Sequence, residues 1–90
     1  MKYGIWFAPA AFEELSQLDA KEMRRVVLRI HHLARNIEEV SHEALQGRHQ
    51  GRFKMRTGND RIVYDFVRSE RILRVHAVGH RSEVYEPYDE

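Results

Sequence analysis

The sequence predicts an α+β fold: an N-terminal strand, an antiparallel helical hairpin, then a three-stranded antiparallel meander, with the helices packed on one face of the sheet. Three observations predict it. The chain has 90 residues, room for a single domain spanning residues 1–90. Apolar residues recur at helical spacing between residues 11 and 37. From residue 52 onward the pattern changes to alternation, interrupted twice by turn-forming residues.

Residues 2–7 are rich in aromatic and β-branched types and read as the first strand. Pro9 suits the first turn of a helix, where its missing N–H would be unpaired anyway. Residues 9–18 then read as a short helix with an apolar edge at Ala11, Phe12, Leu15 and Leu18. A second helix follows at once. Asp19 and Glu22 have the spacing of a capping box, and Met23, Val26, Val27, Ile30, Leu33, Ala34 and Ile37 keep one apolar stripe. Asn36 is the expected stop, and the short connection makes the helices antiparallel. Residues 38–51 lack a sustained period and read as a loop with one helical turn at Glu43–Gln46. Strands are expected at Arg52–Thr57, Arg61–Val67 and Arg71–Val78, joined by turns at Gly58–Asp60 and Arg68–Glu70.

Alternation assigns the faces. Phe53 and Met55, then Ile62, Tyr64 and Phe66, then Leu73, Val75 and Ala77 should meet the helices. The opposite face receives Arg52, Lys54 and Arg56, then Arg61, Val63 and Asp65, then Ile72, Arg74 and His76. Positive charge is therefore concentrated on adjacent strands.

Composition narrows the chemistry. There are no cysteines, which excludes disulfides, thiolate metal sites and cysteine nucleophiles. No apolar run reaches the length of a signal peptide or a membrane span, so a soluble, cytoplasmic protein is expected. The net charge is only +1, but its distribution is uneven. Residues 20–36 carry five basic residues against Glu22 alone, and residues 42–85 carry nine against five acidic ones. Two basic segments in a nearly neutral chain suit a local phosphate-binding surface. A basic helix face is more simply a solvated one, and the helix pair lacks the glycine-containing turn of a DNA-reading helix-turn-helix. No metal site is expected. His31 and His32 are helix neighbours that do not face each other, and His76 and His80 lie about 13 Å apart on an extended strand.

The stretch Arg52-Phe53-Lys54-Met55-Arg56-Thr57-Gly58-Asn59-Asp60-Arg61-Ile62-Val63-Tyr64 and the ending Val78-Gly79-His80-Arg81-Ser82-Glu83-Val84-Tyr85 resemble the central hairpin and closing signature of the RelE/ParE toxin superfamily. The resemblance extends over essentially the whole chain and is similar in detail to RelE-type mRNA interferases. It implies the toxin of a type II toxin–antitoxin system, acting in the ribosomal A site as a metal-independent endoribonuclease without a cofactor. The RNA 2′-OH would attack the neighbouring phosphate, leaving a 2′,3′-cyclic phosphate and a 5′-OH. Such a reaction needs a base, charge stabilisation of the phosphorane and a proton for the leaving oxygen.

By the same resemblance, Lys54 is the candidate base or proton shuttle, its charged form disfavoured by Arg52, Arg56 and Arg61. Taken alone it reads as a solvated strand lysine. Arg61 and Arg81 are assigned phosphate and phosphorane stabilisation. Tyr85 is assigned base stacking or proton shuttling. His80, titratable near neutrality, is an alternative acid or base. Arg52, Arg56 and Arg74 are assigned RNA contact. Arg56 stands where the family commonly has lysine; arginine can clamp a phosphate but cannot act as a base. Gly79 is expected to let the chain turn, returning Arg81 and Tyr85 to the Lys54 face. The resemblance also implies a cognate antitoxin and a higher toxin–antitoxin assembly. Two alternatives remain: a ParE-like toxin that poisons DNA gyrase without cutting RNA, and a catalytically degenerate antitoxin-binding homologue. Retention of Lys54, Arg61, Arg81 and Tyr85 argues against the ParE-like alternative.

Overall fold

Pro9 opens helix α1 (Pro9–Ser16), which ends two residues before the predicted Leu18. Asp19 caps helix α2 (Ala20–Arg35), its carboxylate accepting the Glu22 N–H at 2.8 Å. Asn36 closes α2 as expected. In this computed structural model, which describes residues 2–47 and 50–80, both helices pack on one face of a five-stranded sheet.

The strands are β1 (Gly4–Phe7), β2 (Glu43–Ala44), β3 (Phe53–Thr57), β4 (Asp60–Val67) and β5 (Ile72–His80), in the spatial order β1-β5-β4-β3-β2. β1 runs parallel to β5 and every other pair is antiparallel. The helical turn predicted at Glu43–Gln46 is absent. Glu43 and Ala44 instead pair with Lys54 and Phe53, and the Leu45 N–H continues the ladder to the Arg52 carbonyl. Pairing satisfies the backbone groups that the β3 edge would otherwise present unpaired.

The β3–β4 turn is tighter than predicted. Thr57 pairs with Asp60, which leaves Gly58 and Asn59 alone in the turn. Gly58 has φ 62°, the left-handed conformation that a two-residue hairpin turn places at its first central position. A Cβ there would also stand 2.6 Å from the Arg25 guanidinium of α2.

The helix face holds the core. Val26, Ile30, Leu33 and Ala34 of α2, with Ile37 beyond it, pack on Ile62, Tyr64, Leu73, Val75 and Val78, while Ala11 and Leu15 bring α1 to the same cluster. Phe12, predicted on the apolar edge of α1, is exposed and meets Phe7 edge to face.

A β-bulge changes the predicted alternation in β5. Val63 pairs with Ala77 but Tyr64 pairs with Val75, so His76 is the extra residue. The slip moves Val78 to the helix face, where it joins the main core. Ala77, expected there, packs instead with Val63 and Leu45 on the opposite face. The prediction assumed one uninterrupted period of two, and one inserted residue reverses every side chain beyond it. Gly79 is likewise strand interior, not a turn, because β5 runs on to His80 and Gly79 pairs with Arg61. It places no side chain opposite that arginine.

Candidate functional site

The face turned away from the helices carries the predicted basic residues. Lys54 and Arg56 alternate along β3, and Arg56 stands directly opposite Arg61 of β4. Arg56 is exposed, whereas Arg61 is only 5% exposed. A cation so deeply placed is held in one position, unlike the freely rotating arginine of a surface turn. The Lys54 side chain keeps 12% of its surface, and its ammonium lies 3.7 Å from the Glu43 carboxylate of β2. The short edge strand missed by the sequence prediction thus brings an acid to the candidate base. Arg52 lies half-buried just before β3.

Farther across the same face, Arg74 is not a free phosphate ligand. Its Nε and a terminal nitrogen donate to the two Asp65 oxygens at 2.6 and 2.9 Å, a bidentate pair that fixes the guanidinium plane. His76 Nε2 lies 3.1 Å from one Asp65 oxygen, close but poorly aligned for a hydrogen bond, and the contact is ionic only when the ring is protonated. Burial pushes the Asp65 carboxyl up, but the Arg74 and His76 contacts and charges together outweigh it and hold it below the usual carboxylate range. Burial also depresses His76, more than nearby Asp65 can offset. Trp6 of β1 sits at the rim of this group, 47% exposed, with its ring edge to face with His76 at 6.3 Å.

His80 is not on this face. It pairs with Asp60, and both line a groove with Glu14, Leu18 and Glu22 on the helix side of the sheet. The structure therefore separates His80 from Lys54, which it joined as a candidate in the sequence, by the thickness of the sheet. The β5 bulge is the cause.

The same groove holds an arrangement that sequence reasoning missed. Asp60 is 1% exposed, and with both acids ionised neither of its carboxylate oxygens meets a hydrogen-bond donor. Glu22 reaches toward it from the first turn of α2. A hydrogen bond to Asp60 and repulsion from its charge, followed by burial, push the Glu22 carboxyl above its usual range. That bond exists only while one of the two acids holds a proton. Asp60 lies two residues before core residue Ile62, so alternation could have placed it beneath the helices. The turn assignment hid it. Glu14 is satisfied differently, accepting the Val78 N–H at 2.9 Å.

On the helix side, His42 bridges the Ile37 carbonyl (2.9 Å) and the Tyr64 hydroxyl (2.7 Å). A carbonyl only accepts, so Nε2 donates to it, and Nδ1, left without a proton in that tautomer, accepts the hydrogen bond of the Tyr64 hydroxyl. Burial pushes Tyr64 up to about 12, which keeps it neutral. Arg81 and Tyr85, the remaining predicted site residues, lie outside the described residues. Among the described residues no three His, Asp or Glu side chains converge as a metal site needs, and no helix is long and apolar enough to cross a membrane.

Comparison with known proteins gives the fold a precedent. No protein-family model and no curated protein sequence matches the chain. Solved structures do. A chain of the RelBE2 toxin–antitoxin complex from Mycobacterium tuberculosis superposes with a TM-score of 0.79 at 24% identity, covering 90% of this chain and 100% of that one. The isolated E. coli RelE toxin gives 0.74 at 19% identity, covering 94% and 93%. A YoeB/ParE toxin from Agrobacterium tumefaciens gives 0.71 at 19% identity, covering 86% and 96%. The fold of this chain is thus that of the RelE-like toxins.

Proposed function

We propose that this protein is the toxin of a toxin–antitoxin pair and cuts mRNA on the ribosome by intramolecular attack of a 2′-OH on the adjacent phosphate. The observation that carries the reading is the cationic face: Lys54 and Arg56 on β3, with Arg56 in register with buried Arg61 on β4, on the side of the sheet that the helices leave uncovered. A phosphodiester placed there meets one side chain able to move a proton, the positionally fixed charge of Arg61 and the exposed charge of Arg56.

In this reading the amine form of Lys54, released from Glu43, takes the 2′-OH proton and becomes the ammonium. The 2′ oxygen bonds to phosphorus while the bond to the 5′ oxygen breaks. Arg61 and Arg56 stabilise the negative charge that gathers on the non-bridging oxygens, where fixed donors have their largest effect. The leaving 5′ oxygen takes up a proton, a role the sequence gives to the Arg81 and Tyr85 region. His80, across the sheet, has no part in this scheme. The cognate partner is an antitoxin, as the toxin–antitoxin complexes with the same fold suggest.

The test is induction in a bacterial host with mapping of mRNA ends and measurement of DNA synthesis, followed by cleavage on purified programmed ribosomes. New mRNA ends carrying 2′,3′-cyclic phosphate are expected from the wild type and not from Lys54→Ala. Growth arrest with accumulating DNA breaks and no new mRNA ends would instead establish the gyrase-poisoning alternative.

A further inference from the structure

Trp6 is an exposed large aromatic on a face otherwise dominated by charge. Its strand position explains its direction. Ile5 and Phe7 pack toward the core, so Trp6 between them points to the opposite side, the side of Lys54 and Arg61. In the parallel β1–β5 register it stands beside Arg74. Trp6, Glu70, Ile72, Arg74 and His76 together line an open concavity of about 320 Å³.

We propose that this concavity is a nucleobase subsite, in which one base of single-stranded RNA stacks on Trp6 beside the Arg74 guanidinium. The inference rests on the RNA-cleaving reading and extends it to a residue outside the cleavage chemistry. Three features favour a base over a protein side chain as the occupant. The floor is a flat indole, and every base offers a π face to it. The adjacent guanidinium is held in one plane by its two bonds to Asp65, so a planar cation is already in place to flank the base. The surface leading away from the concavity is cationic, through Arg52, Lys54 and Arg56, which suits a phosphate backbone and not an apolar peptide.

The spacing fits a continuous strand. Trp6 on β1 and Lys54 on β3 are three inter-strand steps apart, about 14 Å. The stacked base therefore belongs to a nucleotide flanking the one that is cut. Trp6 holds RNA in register and makes no contact with the scissile phosphate.

The chain has one tryptophan, so its fluorescence reports on this site alone. The experiment titrates the intact protein at low salt with a short single-stranded RNA. Tryptophan emission and the anisotropy of a labelled oligonucleotide are followed together. An abasic ribose-phosphate chain of the same length serves as the control. Expected are quenching by the RNA but not by the abasic chain, an affinity lower by about 5- to 150-fold in Trp6→Ala, and near wild-type affinity in Trp6→Phe. RNA binding by anisotropy with no quenching and no loss in Trp6→Ala overturns the subsite while leaving the RNA reading intact. No RNA binding, together with no mRNA cleavage on programmed ribosomes, overturns both. Quenching by a protein partner but not by RNA overturns the subsite in favour of protein docking.

Discussion

The two faces of the sheet use the same strands for opposite ends. The helix face excludes water with aliphatic and aromatic side chains from both helices and four strands. The other face has one small apolar cluster, Leu45, Val63 and Ala77, and is otherwise populated by ions. Their electrostatics differ as well. On the ionic face Asp65 is paired with Arg74 and lies beside His76. Under the helices Asp60 has no such partner and is approached by a second acid, Glu22. The side expected to do chemistry pairs its acid Asp65 with a cation, while the side expected to give stability buries the carboxylate of Asp60 beside a second acid. Burial alone therefore does not identify a structural role, and exposure alone does not identify a functional one.

The largest effect should come from the ionic face and be confined to activity. Lys54→Ala is expected to reduce cleavage on programmed ribosomes by about 10²- to 10⁴-fold, the usual size of a lost proton-transfer group, with little change in melting temperature. Lys54→Arg sharpens the test. It retains the charge beside Glu43 but cannot act as a base, so it should be almost as inactive as alanine. If arginine restores cleavage, Lys54 acts as a phosphate clamp and the proton-transfer role belongs elsewhere.

Substitution on the helix face should do the reverse. Ile30 is fully buried against the sheet. Ile30→Ala removes that packing and should cost about 2–5 kcal/mol by thermal or denaturant unfolding. In a chain of this size that is a large part of the total stability. A cost below about 1 kcal/mol would mean the helix packs more loosely than the geometry indicates.

Asp65→Ala lies between these cases. It leaves Arg74 without its acceptor and removes the carboxylate beside partly buried His76, and a loss of about 1–3 kcal/mol is expected. It also frees the Arg74 guanidinium, so RNA affinity should fall along with stability. A stability loss with unchanged RNA binding would separate Arg74 from the ligand surface.

Most of this comparison was legible in the sequence. The helix boundaries followed from Pro9, the Asp19 cap and Asn36, because those signals act within a few residues. The basic face followed from strict alternation in β3 and β4. Beyond His76 the reading failed, since a bulge is decided by how two strands fit together and leaves no sure mark on either alone. That slip moved Ala77 to the face opposite the one predicted and set Val78 and His80 on the helix side. β2 was missed because two residues carry no period; its pairing with Lys54 and Phe53 depends on residues beyond the intervening loop.

The smallest effect should come from the acid pair under the helices, and its sign depends on pH. Glu22 in the folded protein holds its proton more tightly than the ordinary value of 4.5, through Asp60 first, then burial and Asp19, with Arg25 opposing. The folded state therefore binds more protons than the unfolded chain in the window above that value. The pair's favourable contribution is complete below about pH 4.5 and is lost as pH rises through the higher folded value. Glu22→Gln can still donate to Asp60 and carries no charge. Its melting temperature should match the wild type in acid and exceed it increasingly from pH 4.5 toward neutrality. One term opposes this: an acid in the first turn of α2 interacts favourably with the helix dipole, and glutamine gives that up. The two terms separate in the pH profile, because both need ionised Glu22 but act in opposite directions. A gap that widens in favour of glutamine means repulsion from Asp60 dominates. A gap that widens in favour of glutamate means the helix terminus dominates and the buried acid is better tolerated than its missing partners imply.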